Sequence, residues 1–166
     1  MTGPRRAREA ANPRSLHDRA LGLLAVRQRS RRELSIRLLR DGFDRDDVAE
    51  ELDRLESVGL LDDRAFAAAF AEEALTRRLR GRRGVASALA AKGIGRAEID
   101  HALAGVGGSE EERALELARA RARRLTSLEP EAAYRRLVGL LGRRGFESGT
   151  ARSAARRALD LDAGGA

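Results

Sequence analysis

Arginine is the residue with the widest chemical reach in this 166-residue sequence, because of 33 basic residues only Lys92 is a lysine. A guanidinium stays charged at any physiological pH. It offers a flat fork of donors to a carboxylate or a phosphate, so its chemistry is binding rather than proton transfer. The arginines gather into runs. Arg77, Arg78, Arg80, Arg82 and Arg83 make one, and Arg119, Arg121, Arg123 and Arg124 a second. Arg135, Arg136, Arg143, Arg144, Arg152, Arg156 and Arg157 follow. Two readings stand side by side: the coding bias of a GC-rich genome, or selection for contacts with phosphates or acidic protein surface. Cations near helix C-termini are favourable in themselves, and arginine stems cover apolar surface, so roughly half of these residues are assigned to structure. The candidates for partner or DNA contact are Arg77, Arg78, Arg80, Arg82, Arg83, Arg121, Arg123, Arg124, Arg135, Arg136, Arg143, Arg144, Arg152, Arg156 and Arg157.

Other chemistries find no footing. There is no cysteine, which excludes disulfides and thiolate metal sites and fits a reducing compartment. His17 and His101 stand far apart without metal-ligand spacing, and both are expected to face solvent. Gly105, Gly107 and Gly108 follow no strand and precede no lysine, so they do not form a phosphate loop. No serine or threonine sits in a nucleophile elbow. The acids lie beside arginines at helical spacing, where solvated i,i+4 pairing is the ordinary explanation. The expectation is a monomeric binding protein, not an enzyme, with no cofactor and no metal. No apolar run approaches the roughly 18 residues of a membrane span. Met1 to Arg14 lacks the apolar stretch of a secretory signal, so a cytoplasmic setting is expected.

The elements that carry these side chains read as helices. Ala, Leu, Arg and Glu dominate, and apolar residues recur at helical spacing, as in Val48, Leu52, Leu55 and Val58. Ser30 to Glu33 reads as a capping box, and Ser109 to Glu112 reads the same way. Asp44 and Asp62 have the look of N-caps, and Pro130 that of a first-turn proline. Gly42, Gly93 and Gly145 each follow a helical run, where a left-handed residue is expected.

Those three glycines are spaced 51 and 52 residues apart and expose a repeat. Leu38, Leu89 and Leu141 stand four residues before them, and Leu34, Val85 and Leu137 eight before. Arg32, Arg83 and Arg135 stand ten before, while Phe43, Ile94 and Phe146 follow directly. Such periodicity marks a repeat array. The fold class predicted is all-α, three tandem three-helix repeats in an elongated, curved array. The repeats cover residues 15–61, 62–106 and 109–161, with helices near 15–28, 31–41, 45–58, 63–79, 82–92, 96–105, 110–126, 130–144 and 148–160. Flexible tails are expected at 1–14 and 162–166. The formal charge of +7 divides as +3 in residues 1–14, −1 in 15–61, +2 in 62–105 and +3 in 106–166, so the excess lies in the N-terminal tail and the later repeats.

The most individual segment runs from Gly59 through Leu60, Leu61, Asp62, Asp63 and Phe66 to Ala67. Its structural reading is that Gly59 ends a helix, Leu60 and Leu61 fill the joint, and the aspartates start the next helix. The alternative gives the aspartates a direct binding role.

These residues resemble a known family, the RecX regulatory proteins of bacteria. Ala20 to Leu34, with its Arg27-Gln28-Arg29-Ser30 and Glu33-Leu34, is similar to that family's opening pattern. The Gly59-Leu60-Leu61-Asp62-Asp63-x-x-Phe66-Ala67 run is similar to its hallmark, and Gly84, Leu89, Lys92-Gly93-Ile94 and Ile99 to its second unit. The likeness covers residues 15–160 and is weakest in the alanine-rich third repeat. Ala67 to Glu73 departs from it, because family members often carry an aromatic and a basic residue there.

The resemblance implies a cytoplasmic protein of DNA repair that binds the RecA recombinase filament on single-stranded DNA. There it would restrain ATP hydrolysis, strand exchange and co-protease activity, with weak direct DNA contact. Arg82, Arg83, Arg135 and Arg136 are the first positions to test. A stand-alone nucleic-acid-binding protein is the main rival, since three-helix units also occur in helix-turn-helix readers. A helical adaptor for another complex is the second rival.

Overall fold

In the computed structural model, which describes residues 15–161, nine α-helices follow one another in three sets of three. The first set is α1 (Leu16–Val26), α2 (Arg31–Arg40) and α3 (Arg45–Ser57). The second is α4 (Asp63–Glu72), prolonged by a π-helical turn at Glu73–Arg77, with α5 (Arg82–Ala91) and α6 (Arg96–Ala104). The third is α7 (Glu110–Ala122), α8 (Pro130–Arg143) and α9 (Ser148–Ala158). The tails expected at 1–14 and 162–166 lie outside the described residues.

The helix starts follow from their caps. The fully buried Ser30 hydroxyl accepts the Glu33 N–H at 3.2 Å, and the Glu33 carboxylate accepts the Ser30 N–H at 3.2 Å. Asp44 accepts the Asp46 N–H at 2.8 Å, and Pro130 occupies the first turn of α8. The second capping box is only half made. Ser109 takes the Glu112 N–H at 3.3 Å, but its own hydroxyl donates to Glu111 at 2.7 Å. The aligned glycines end α2, α5 and α8 with φ of +95° at Gly42, +82° at Gly93 and +86° at Gly145, a region that side chains rarely enter.

The long helix expected over 63–79 changes pitch before its end. The Arg78 N–H reaches back five residues to the Glu73 carbonyl at 3.2 Å, and the Arg80 N–H reaches Ala74 at 3.0 Å. Leu79 is held at φ +45°, unusual for a branched side chain, and packs on the core of the third helical set. The wider turn lets both Leu75, fully buried, and Leu79 face inward.

By packing, the chain divides into two compact units, the first ending at Phe66 and the second beginning at Ala67. The first is centred on Leu34, Leu38, Val48, Leu52, Leu55 and Leu61. Each such side chain contributes about 1.5–3 kcal/mol on burial. Leu60 does not join them as expected: it is 53% exposed against 2% for Leu61. After the left-handed Gly59 both leucines donate their N–H to the Leu55 carbonyl, and only Leu61 turns inward.

In the second unit, the rest of the second helical set and the third set meet backbone to backbone. The Gly81 N–H donates to Arg144 O at 3.0 Å, and the Gly84 N–H to Gly145 O at 3.3 Å. A Cβ on Gly84 would stand 2.8 Å from Arg144 O and 2.9 Å from the Gly145 Cα, and one on Gly145 would overlap Gly84. In α9, Ala151 and Ala155 replace the valine and leucine of the aligned positions in α3. Both are buried, and side chains this small bring a helix close to its neighbours.

Candidate docking surface

The backbone crossing at Gly81, Gly84 and Gly145 brings together two arginine runs that are about 60 residues apart in sequence. Arg144 caps α8, and its guanidinium donates to the Arg78 carbonyl at 2.9 Å. Arg77, Arg83 and Arg143 are exposed around this corner, and among the described residues no ion-pair partner faces any of them. The Arg78 side chain is 62% exposed, although it shares its charge with Glu73 at 2.6 Å. Exposed cations such as Arg77, Arg83 and Arg143, which have no ion-pair partner among the described residues, are suited to phosphates or an acidic surface.

The remaining candidates fall into distinct settings. Arg80 is half-buried beside the corner. Arg82 is also half-buried, and its guanidinium is spent inside the protein, on Leu103 O at 2.6 Å and Val106 O at 3.1 Å. Arg121 is half-buried in the last turn of α7, with Arg123 and Arg124 exposed just beyond. Arg135 and Arg136 are exposed on α8, and Arg152, Arg156 and Arg157 on α9. Arg152 and Arg156 stand four residues apart and share one face.

The hallmark segment is knitted into backbone. Gly59 has φ +72°, Leu61 and Phe66 are buried, and Asp62 accepts the Ala65 N–H at 2.9 Å as the cap of α4. Asp63 does not serve its own helix in this way. Its Oδ1 accepts the N–H of Arg31 at 2.7 Å, at the start of α2.

Three polar side chains carry roles that the sequence pattern did not reveal. Arg31 reaches Asp53 and Glu56, each at 2.6 Å. Burial opposes its charge, but the hydrogen bonds with Asp53 and the charges of Glu56 and Asp53 hold its pKa above the ordinary arginine value. Arg113 is 7% exposed and donates to Gly107 O at 3.3 Å, while its Nε and Nη2 have no acceptor among the described residues. Position alone could not distinguish these residues from surface arginines. His17 was expected to face solvent, yet its Nδ1 lies 2.7 Å from Glu51, a carboxylate that α3 places against the core side. Residues 17 and 51 are 34 apart, so no local spacing signals the pair.

Among the described residues no group of three His, Cys, Asp or Glu side chains is placed to hold a metal ion, and no helix is long and apolar enough to cross a membrane.

Comparison with known proteins matches each helical set in turn. The first three-helix domain of RecX matches residues 17–55, the second residues 62–103 and the third residues 109–155. The regulatory protein RecX of Mycobacterium avium is 39% identical over 133 residues, covering 79% of this chain and 77% of its own. That of Mycobacterium marinum is 41% identical over 128 residues, covering 76% and 74%. A crystal structure of a regulatory protein RecX superposes with a TM-score of 0.76 at 25% identity, covering 84% of this chain and 70% of that one. RecX from Lactobacillus salivarius shares the fold, with a TM-score of 0.72 at 21% identity over 88% of this chain and 95% of its own. Three domain matches in sequence order, with relatives of this identity and coverage, establish that the chain belongs to the RecX family of regulatory proteins.

Proposed function

We propose that this protein binds the RecA recombinase filament on single-stranded DNA and restrains its ATP hydrolysis, strand exchange and co-protease activity. Membership of the RecX family is the observation that carries this reading. The docking set is Arg77, Arg78, Arg83 and Arg143 at the basic corner, extended by Arg135, Arg136, Arg152 and Arg157 on α8 and α9. The protein acts as a cytoplasmic monomer, and its direct contact with DNA is weak. Arg82 is left out of the docking set, because its guanidinium already serves two internal carbonyls.

The exposed arginines of the second compact unit also support a second reading, a stand-alone nucleic-acid-binding protein. The two readings differ in their dependence on recombinase. Anisotropy of labelled single-stranded DNA, with and without RecA, at about 50 and 200 mM salt separates them. Binding that is weak to bare DNA and strong to the filament supports the first. Tight, steeply salt-dependent binding to bare DNA, unchanged by RecA, supports the second.

A further inference from the structure

The two junctions between successive three-helix sets are built on one plan. At the first, Arg31 is the opening residue of α2. Its backbone N–H, one of the donors a helix start leaves without an internal acceptor, donates to Asp63 Oδ1 at 2.7 Å. Asp63 is the opening residue of α4, and the Arg31 guanidinium meanwhile grips the C-terminal half of α3 through Asp53 and Glu56. At the second junction, Arg82 opens α5 and its N–H donates to Glu110 Oε1 at 3.0 Å. Glu110 opens α7, and the Arg82 guanidinium grips the end of α6 through Leu103 O and Val106 O. Arg31 and Arg82 stand 51 residues apart, as do Gly42 and Gly93.

We infer that this arginine and acid form a coupling socket, in which the acid at the first helical position of each following repeat completes the second helix of the repeat before it. The local caps leave room for it. Ser30 serves the Glu33 N–H and leaves the Arg31 N–H for Asp63. Gly81, at the N-cap of α5, has no side chain to offer, so Glu110 supplies the carboxylate there. The neighbouring aspartates of the hallmark therefore divide the work: Asp62 caps its own helix through Ala65, and Asp63 reaches back to the preceding one.

Among the described residues the third repeat presents no such socket. Its aligned position is Tyr134, but α8 begins four residues earlier at Pro130. Tyr134 thus lies in the second turn, where the N–H has an intrahelical acceptor, and proline at the helix start has no N–H to give. Within each compact unit the contact runs one way along the chain: α2 takes its acceptor from the start of α4, and α5 takes its acceptor from the start of α7. Nearest-neighbour terms of this kind stabilise repeat arrays.

Residue-resolved amide hydrogen exchange on the full chain tests the inference. The readout is the exchange rate of the Arg31 or Arg82 amide relative to the Leu38 or Leu89 amide deeper in the same helix. Asp63→Ala is expected to raise the Arg31 ratio about fivefold to tenfold, the scale of losing one helix cap. It should leave the Arg82 and Tyr134 amides as they were. Glu110→Ala should do the same for Arg82 alone, while Asp62→Ala raises only Ala65. Asp63→Asn keeps an acceptor oxygen and should hold the Arg31 ratio near wild type, and it serves if the alanine variant does not fold. An unchanged Arg31 ratio in Asp63→Ala overturns the inference. So does an Arg31 ratio in Asp63→Asn that rises as far as in the alanine variant.

Discussion

Alanine at two equivalent glycines should separate backbone strain from packing. Gly42 and Gly145 occupy the same repeat position and have nearly the same φ, +95° and +86°. A Cβ at Gly42 would meet nothing within 4 Å, whereas one at Gly145 would overlap the Gly84 backbone. Gly42→Ala therefore bears only the left-handed conformation, about 1–2 kcal/mol. Gly145→Ala bears that and the separation of two touching backbones, a further ~1–3 kcal/mol by analogy with overpacked cores. Urea unfolding followed by helical circular dichroism gives both values, and any separate transitions of the two compact units are fitted separately. The second compact unit should lose roughly twice as much in Gly145→Ala as the first loses in Gly42→Ala. Equal losses would refute the close approach of Gly84 and Gly145 as the contact that unites α5 with the α8–α9 turn.

Further outcomes follow from the same geometry. Leu61→Ala should destabilise the first unit by about 2–5 kcal/mol, while Leu60→Ala stays within about 0.5 kcal/mol, measured by the same unfolding curves. Arg82→Ala should cost about 1–2 kcal/mol through its two carbonyl contacts, whereas Arg83→Glu should leave the melting temperature unchanged. The Ser109 hydroxyl holds the Glu111 carboxyl below its ordinary value of 4.5. Because the folded pKa is the lower one, the stabilisation is present above the unfolded value and is lost as pH falls through the folded one. Carboxyl titration by NMR should show the depressed midpoint and its return in Ser109→Ala.

The helical sets were legible because their signals are local. A capping serine and a glycine after a leucine stripe each act within one or two turns, and spacings of 51 and 52 residues repeat those local signals along the chain. The π-helical turn at Glu73–Arg77 was not legible, since the inward pull on Leu75 and Leu79 arises only in the packed unit. The arginines divide for a similar reason. Arg82 and Arg83 are neighbours of one type, yet one serves internal carbonyls and the other faces solvent. What separates them is the position of residues 103 and 106, which composition does not encode. Likewise Arg143 and Arg144 join the 77–83 run only through the glycine crossing.

The most direct test of the proposed activity is ATP hydrolysis by the cognate RecA on single-stranded DNA, with this protein titrated in. Wild type should suppress turnover at less than one molecule per recombinase subunit, and an Arg83→Glu, Arg143→Glu double variant of unchanged helicity should need several-fold more. Turnover that is unaffected by wild-type protein at stoichiometric excess would contradict the account.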